Sequence, residues 1–275
     1  MPTPQRPGLI TLLTDFGTAD YFVAAMKGVI LSICADTPIV DITHEIAPQD
    51  IHSAAFTILA VYKSFPAQTI HLAVVDPEVG SARRPILASC DNQFFLGPDN
   101  GTFSYIFERQ PPAQVIHIQN EEYFRPQVSA SFHGRDVFAA VAAAVAQGAE
   151  PLQFGEEITD WVQLESLTPL VRDDGTIQAR IIHIDRYGNC VTNLTPADLP
   201  DGMSDRGLRL SINGTEIDSM RRFFAEESDS SNDLFAIWGS AGFLEVSIQN
   251  GSAANALQAG VGDPVSISGR SEYRL

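Results

Sequence analysis

The stretch LITLLTDFGTADYFVAAMKGVILSICADTPIVDI, residues 9–42, contains the pattern that sets the fold class. A short apolar run at 9–14 is followed by apolar residues at helical spacing, until the D-T-P sequence at 36–38 stops the helix. A second apolar run follows at 39–42. Strands that alternate with helices are typical of a mostly parallel sheet covered on both faces.

The alternation continues along the chain. Further helices are predicted at 53–62 and 137–146, and further strands at 69–75, 85–88 and 115–118. In such sheets ligands bind beyond the carboxyl ends of the strands, where Asp15 and Asp76 fall.

The character of the sequence changes after residue 150. The stretch 151–174 loses its periodicity, and beyond it come short apolar runs separated by Gly, Asn and Asp turns. We therefore predict an N-terminal α/β sandwich domain with a mostly parallel sheet at 1–165 and a small all-β, barrel-like domain at 172–275.

Composition narrows the class of partner. The chain has 275 residues, 44% of them hydrophobic, and a formal net charge of −17, which repels nucleic acid and anionic membranes. The acidic run 226–233 is interpreted as a solvated loop. Cysteines are few and not at metal-ligand spacing, and the sequence has neither a signal-peptide pattern nor an apolar stretch of about 20 residues. We expect a cytoplasmic protein without a metal.

Several short motifs combine groups that bind or react, and each has a plainer interpretation. Asp15 after the first strand suits a ribose diol or a helix cap. The D-P-E-V-G loop at 76–80 can bring Asp76 near Arg83, or form an exposed turn. His133 opens the Ala-rich helix, where the helix N-terminus lowers its pKa and favours a neutral base or relay, although a lone histidine is more commonly structural.

Two further motifs lie in the second domain. The D-R-Y-G-N sequence at 185–189 suits an amino group and a purine, or a plain hairpin turn. The W-G-S-A-G sequence at 238–242 suits a backbone nest for a carboxylate, or a bulged strand connection.

Six motifs in order resemble those of one family, the S-adenosylmethionine hydroxide adenosyltransferases, which are related to fluorinase and chlorinase. They are T-D-F-G-T-A-D-Y (14–21), V-D-P-E-V-G (75–80), G-P-D-N-G (97–101), F-H-G-R-D (132–136), I-D-R-Y-G-N (184–189) and G-S-A-G-F-L-E (239–245). The resemblance implies hydrolysis of S-adenosyl-L-methionine to adenosine and L-methionine, by attack of water or hydroxide on the ribose C5′, without a cofactor or metal.

The resemblance also implies a role for each matched residue. Asp76, Arg83 and His133 would jointly hold and deprotonate the water, with either Asp76 or His133 as proton acceptor. The remaining residues would bind the substrate. Asp15 would hold the ribose hydroxyls, Asp185 the ammonium, Asn189 the adenine and Ser240 the methionine carboxylate. Asp20, Tyr21 and Phe22 would lie against the substrate, Phe132 and Tyr187 would form apolar walls, and Gly134 and Ala241 would lie next to these binding residues.

Departures from the halogenase branch favour water as the nucleophile. Fluorinase-like enzymes have Tyr where Asp76 stands, Ser at Gly134, Trp near Gln49 and Arg at Ala241. The carboxylate of Asp76 would repel a halide and attract water. The alternatives are a non-catalytic sensor that binds S-adenosylmethionine or adenosine, and a halide-dependent adenosyl transferase. The family resemblance further implies an α/β domain followed by a β-barrel, and homotrimers with active sites at subunit interfaces.

Overall fold

The computed structural model describes residues 8–199, 207–226 and 233–269. The chain forms two compact units, Met1–Ser166 and Leu167–Leu275. Most of the acidic run 226–233 lies outside the described residues. The described part of the first unit contains strands β1 (Ile10–Thr14), β2 (Ile39–Thr43), β3 (Ile70–Val74), β4 (Pro85–Cys90), β5 (Gln93–Pro98), β6 (Gln114–Ile118) and β7 (Gly155–Glu157), and helices α1 (Phe22–Ile33), α2 (Ile51–Val61), α3 (Ser104–Arg109) and α4 (Ala139–Ala146).

The strands of this unit form one mixed sheet in the order β2-β1-β3-β5-β4-β6-β7. β1 is parallel to β2 and β3, and β3 is parallel to β5, whereas β4 is antiparallel to β5 and β6, and β7 to β6. Five described strands therefore run one way and β4 and β7 the other. The reversal at β4 has a local cause, because Asp91 and Asn92, with φ of 51° and 58°, form a tight hairpin turn into β5.

Helices cover both faces of the sheet. β1 and β3 are buried along their whole length, as expected for central strands of such a sheet. Ile10 and Leu12 join the apolar core that contains α1 and α4. Every residue of α4 is buried, and its alanine-rich surface lets α1 pack closely against it.

The directions of the strands place several loops at one edge of the sheet. The carboxyl ends of β1, β3 and β6 lie at this edge, together with the start of β4, which runs the opposite way. Asp15 follows β1, Asp76 follows β3, Arg83 precedes β4 and Gln119 follows β6. The loops that carry the candidate groups of this unit therefore converge here.

The described part of the second unit is a strongly curled, all-β half-barrel with one short helix. Its strands are β8 (Leu170–Val171), β9 (Ile177–Ile184), β10 (Cys190–Thr192), β11 (Leu208–Ile212), β12 (Thr215–Ile217), β13 (Met220–Arg221), β14 (Leu234–Trp238), β15 (Leu244–Ile248) and β16 (Pro264–Gly269), and its helix is α5 (Ala253–Leu257). The strand order is β12-β11-β16-β9-β10-β15-β14-β13, and β8 pairs with β9. The long strand β9 joins the two halves, because its first residues pair with β16 and its last with β10.

Among the described residues, no helix combines the length and apolar character needed to span a bilayer.

Candidate active site

Asp76 and Arg83 form a buried ion pair at the loop-bearing edge of the first sheet. Arg83 Nε donates to both oxygens of Asp76, at 2.9 Å to Oδ1 and 3.0 Å to Oδ2, and Arg83 Nη2 also contacts Oδ2. The side chains are only 5% and 4% exposed respectively. Such bidentate, charge-assisted bonds fix both groups in one orientation. The pair is therefore a rigid, nearly dry unit rather than an exposed turn.

His133 completes this arrangement from a different part of the chain. Its Nδ1 lies 3.0 Å from Arg83 Nη2. Because a guanidinium only donates, Nδ1 must accept, which leaves the proton of the neutral ring on Nε2. Burial lowers the pKa of His133, and the positive charge of Arg83 lowers it further. The lowered pKa was predicted from the helix N-terminus, whereas the structure gives burial and Arg83 as its causes.

A π-helical turn, Gly134–Phe138, follows His133 and leads into α4. Asp136 in this turn is fully buried, and its carboxylate accepts from the Ser129 backbone N–H at 2.9 Å and from Arg135 Nε at 2.6 Å. Burial alone would raise the pKa of Asp136, but the bonds from Arg135 and Ser129 lower it overall. Asp136 thus fixes the preceding loop beside His133, a role that the sequence did not reveal although the residue ends a recognised motif.

The loop that carries Asp76 and Arg83 lies against that same segment. Gly80 has a φ of +79°, and a Cβ there would come within 2.2 Å of the Ala130 carbonyl oxygen. Only glycine combines this backbone angle with so close an approach. Gly80 therefore sets the distance between the Asp76 loop and the segment that precedes His133.

Aromatic side chains form a wall beside Gly134. The Phe132 ring lies edge-on to Phe22, with centroids 5.2 Å apart, and to Phe16 at 6.1 Å. Tyr21 packs on Phe22 at 4.6 Å, yet it remains 65% exposed. A Cβ on Gly134 would lie 3.3 Å from Met26 Sδ and 3.4 Å from Phe16, so a larger residue would press on Met26 and on this wall. The structure brings together Phe132, Gly134, Tyr21 and Phe22; Phe16 was not among the predicted site residues.

Asp15 lies in the loop after β1. Its Oδ2 accepts a hydrogen bond of 2.8 Å from the backbone N–H of Gln49, a residue with a φ of 69°. This bond comes from another loop, so it is not the helix cap that was the plainer interpretation of Asp15. Asp20, further along the same segment, is exposed. One oxygen of Asp15 is thus oriented by the protein, and the other remains to accept from a ligand.

Asp185 and Asn189 come together in the turn between β9 and β10. Asp185 Oδ1 accepts from the backbone N–H of Tyr187 at 2.8 Å and of Asn189 at 2.9 Å, and its Oδ2 accepts from Asn189 Nδ2 at 2.8 Å. Asp185 therefore builds the turn, and it also directs the Asn189 amide group. Because one amide N–H binds Asp185, the Asn189 carboxamide is held in one orientation, and its oxygen and second N–H can bind a ligand.

A cavity of about 640 Å³ adjoins this turn within the second unit. Tyr187, which is 78% exposed, and Asn189 line it together with Phe224 and Ile248. An aromatic face beside a carboxamide suits a planar heterocycle. Phe224 was missed because it lies in an irregular stretch with no motif around it.

Ser240 and Ala241 lie in the tight connection between β14 and β15. Gly239 N donates to Phe243 O at 2.8 Å, and Gly242 N donates to Gly239 O at 3.0 Å. Glu245 folds back over this connection, because a Cβ on Gly239 would overlap its carboxylate. Burial raises the pKa of Glu245, and so does the negative charge of Asp185. The sequence did not single out this acidic neighbour of Ser240 and Ala241.

No group of three or more His, Cys, Asp or Glu side chains is placed to hold a metal ion within residues 8–199, 207–226 and 233–269. The three cysteines, Cys34, Cys90 and Cys190, are free thiols.

Comparison with known proteins identifies the family. Residues 10–155 match the model of the S-adenosylmethionine (SAM) hydroxide adenosyltransferase N-terminal domain, and residues 179–266 match that of its C-terminal domain. The chain is 37% identical to a protein of Methanocaldococcus jannaschii named (R)-S-adenosyl-L-methionine hydrolase, over 94% of this chain and 95% of that protein. It is 34% identical to a Thermus thermophilus protein of the same name, over 96% and 100%.

A crystal structure of an uncharacterized conserved protein from Thermotoga maritima has the same fold, with a TM-score of 0.85, 31% identity, and coverage of 94% of this chain and 99% of that one. Proteins named fluorinase are more distant, and that of an Actinoplanes species is 25% identical over 72% of this chain and 75% of that protein. Both domain models match in order, and the two relatives named hydrolase align over nearly their whole length. The chain belongs to the SAM hydroxide adenosyltransferase family.

Proposed function

We propose that this protein hydrolyses S-adenosyl-L-methionine to adenosine and L-methionine, with Asp76, Arg83 and His133 around the attacking water. Membership of the family and the names of the relatives support the reaction. The observation that supports the site most directly is the position of Arg83, which binds the Asp76 carboxylate and the His133 ring at the same time.

The hydrogen bonds among Asp76, Arg83 and His133 indicate which of them accepts the proton of the water. His133 Nδ1 faces Arg83, so the ring presents a donor at Nε2 and its lowered pKa keeps it neutral. Asp76 is then the group with lone pairs to accept a proton. In this mechanism the water oxygen bonds to C5′ as the C5′–S bond breaks, the bonding pair goes to sulfur, and the proton goes to Asp76.

Positioning is the main contribution that this mechanism asks of the protein. The sulfonium is already a good leaving group, whereas water is a weak nucleophile and must be held in line. A rigid pair such as Asp76 and Arg83 has little freedom left to lose when it orients the water.

Substrate contacts are proposed on the same basis. Asp15 would hold the ribose hydroxyls and Tyr21, Phe22 and Phe132 would form an apolar wall. Asn189 would bind the adenine through its carboxamide group. Asp185 would attract the ammonium. The assembly would be a homotrimer with sites shared between subunits, located in the cytoplasm.

The direct test uses purified protein, S-adenosyl-L-methionine and oxygen-18 water, with mass spectrometry of the nucleoside. Adenosine that carries the heavy oxygen at C5′ is the expected product. Chloride or fluoride should not give a halogenated nucleoside, since the Asp76 carboxylate cannot donate a hydrogen bond to a halide. Binding of adenosine without turnover above the no-enzyme control would contradict the proposal and would indicate a binding module instead.

A further inference from the structure

A cavity of about 680 Å³ reaches Arg83 and His133 from the side of β6. It is lined by Ser81, Ile118, Gln119, Phe124, Arg125 and Val128, among others. Asp15 and the aromatic side chains beside Gly134 are absent from this lining. We propose that this cavity, which we call the β6 cavity, is the route by which water reaches Asp76, Arg83 and His133 while substrate is bound. The proposal rests on the proposed function.

The order of the strands fixes the positions of these residues along the sheet. Asp15 follows β1, Asp76 follows β3, Arg83 precedes β4 and Gln119 follows β6, in a sheet ordered β1-β3-β5-β4-β6. Asp76 and Arg83 therefore lie between Asp15 and the β6 cavity. A substrate whose ribose is held at Asp15 approaches from the β1 side, and the β6 side stays open.

The ion pair itself is shielded from solvent. The side chains of Asp76 and Arg83 are 5% and 4% exposed even without a ligand, so substrate at the β1 side would leave them little other contact with solvent. The β6 cavity, in contrast, begins at exposed residues, Gln119, Arg125 and Val128, and ends at Arg83 and His133. Each turnover consumes one water, which must be replaced before the next.

The lining is polar enough and the cavity large enough to hold water. Polar groups of Ser81, Gln119 and Arg125 offer hydrogen bonds along the way, and the volume far exceeds the roughly 15 Å³ that one water needs. The outer wall is held in place by Asp136, since its backbone oxygen accepts from Arg125 N at 2.9 Å and its side chain from Ser129 N. The β6 cavity is therefore preformed, and its outer wall is anchored by these hydrogen bonds.

The test narrows the β6 cavity from two independent walls. Val128→Trp and Gln119→Trp both replace exposed residues, so folding should be preserved, and Val128→Ala leaves the route open. Val162→Trp is the matched control, because Val162 is also exposed, at 47%, and does not line the β6 cavity. Measurements are kcat, KM, adenosine affinity by calorimetry, and oligomeric mass.

We expect kcat to fall about 10-fold or more in both tryptophan variants, with adenosine affinity and mass unchanged, and Val128→Ala and Val162→Trp to match wild type. Wild-type kcat in both tryptophan variants would overturn the route. A loss of adenosine affinity with kcat intact would also overturn it, since substrate would then occupy the β6 cavity. Absence of adenosine formation by the wild-type protein would instead refute the proposed function.

Discussion

At the scale of single residues, Arg83 differs from its neighbour Arg84 in the groups that it binds. Arg83 and its sequence neighbour Arg84 each pair with a buried carboxylate, Asp76 in one case and Asp99 in the other. Only the first pair also contacts His133. The second pair therefore serves as an internal reference for what a buried ion pair contributes to folding alone.

Asp76→Asn should lower kcat at least about 100-fold, because the proton acceptor is lost, with little change in adenosine affinity. Asp99→Asn, whose side chain is 2% exposed in the native protein, should lower the free energy of unfolding while kcat stays near wild type. Steady-state kinetics and urea denaturation of both variants check this. Equal kcat losses in the two variants would refute the assignment of Asp76.

The pH dependence follows from His133. Burial and Arg83 lower its pKa below the usual 6.5, so the neutral ring predominates at pH 6.5 and above, and the protonated ring predominates only in more acidic solution. Protonation at Nδ1 would break the contact with Arg83. We expect kcat to hold from pH 8 to about 6.5 and to fall below it. Titration of the His133 ring by NMR with a midpoint above 6.5 would contradict this.

At the scale of elements, the loop between β3 and β4 depends on the close approach at Gly80. Gly80→Ala should destabilise the protein by about 3 kcal/mol, because the unfavourable φ is combined with a backbone overlap, and should lower kcat by displacing Arg83. Gly175→Ala is the matched control, with a φ of +80° and open space for its Cβ. It should cost about 1 kcal/mol without affecting kcat. Thermal unfolding and kinetics of the two variants test the difference.

The elements also show what a sequence can and cannot predict. The strand at 10–14 and the helix after it were predicted because their apolar residues repeat clearly. β5 was missed, since its sequence, QFFLGP, does not alternate apolar and polar residues and ends in Gly-Pro, and α5 was missed because it has only five residues. The Asp91-Asn92 turn was the available signal for the hairpin.

The residues of the candidate site could also be predicted only in part. Spacing alone allowed Asp76 and Arg83 to meet, because a tight loop joins them. It could not place His133, which is 50 positions from Arg83 and reaches it only through the folded sheet. The order of the family motifs supplied that link. Glu245 and Asp136 were missed because their importance arises from burial and neighbouring charges, which the sequence does not display.

At the scale of the whole molecule, the proposed trimer predicts both the mass of the assembly and the behaviour of mixed variants. Sedimentation should give a mass about three times 29.8 kDa. If sites are shared between subunits, mixing Asp76→Asn with Asn189→Ala protein and allowing subunits to exchange should restore activity that neither has alone. A monomeric mass, or no recovery in exchanged mixtures, would contradict shared sites.

The ion pair between Asp76 and Arg83 determines the net charge and the solvent exposure around the reacting sulfonium. Asp76, Arg83 and a neutral His133 together carry no net charge, and two of the three are nearly dry. The proposed reaction removes the charge of the sulfonium, and charge-annihilating steps are slowed by polar solvents, which stabilise the charged reactants more than the dispersed transition state. Because these groups are shielded from bulk water and their charges cancel, they stabilise the sulfonium less than water does, and the barrier to its reaction is lowered.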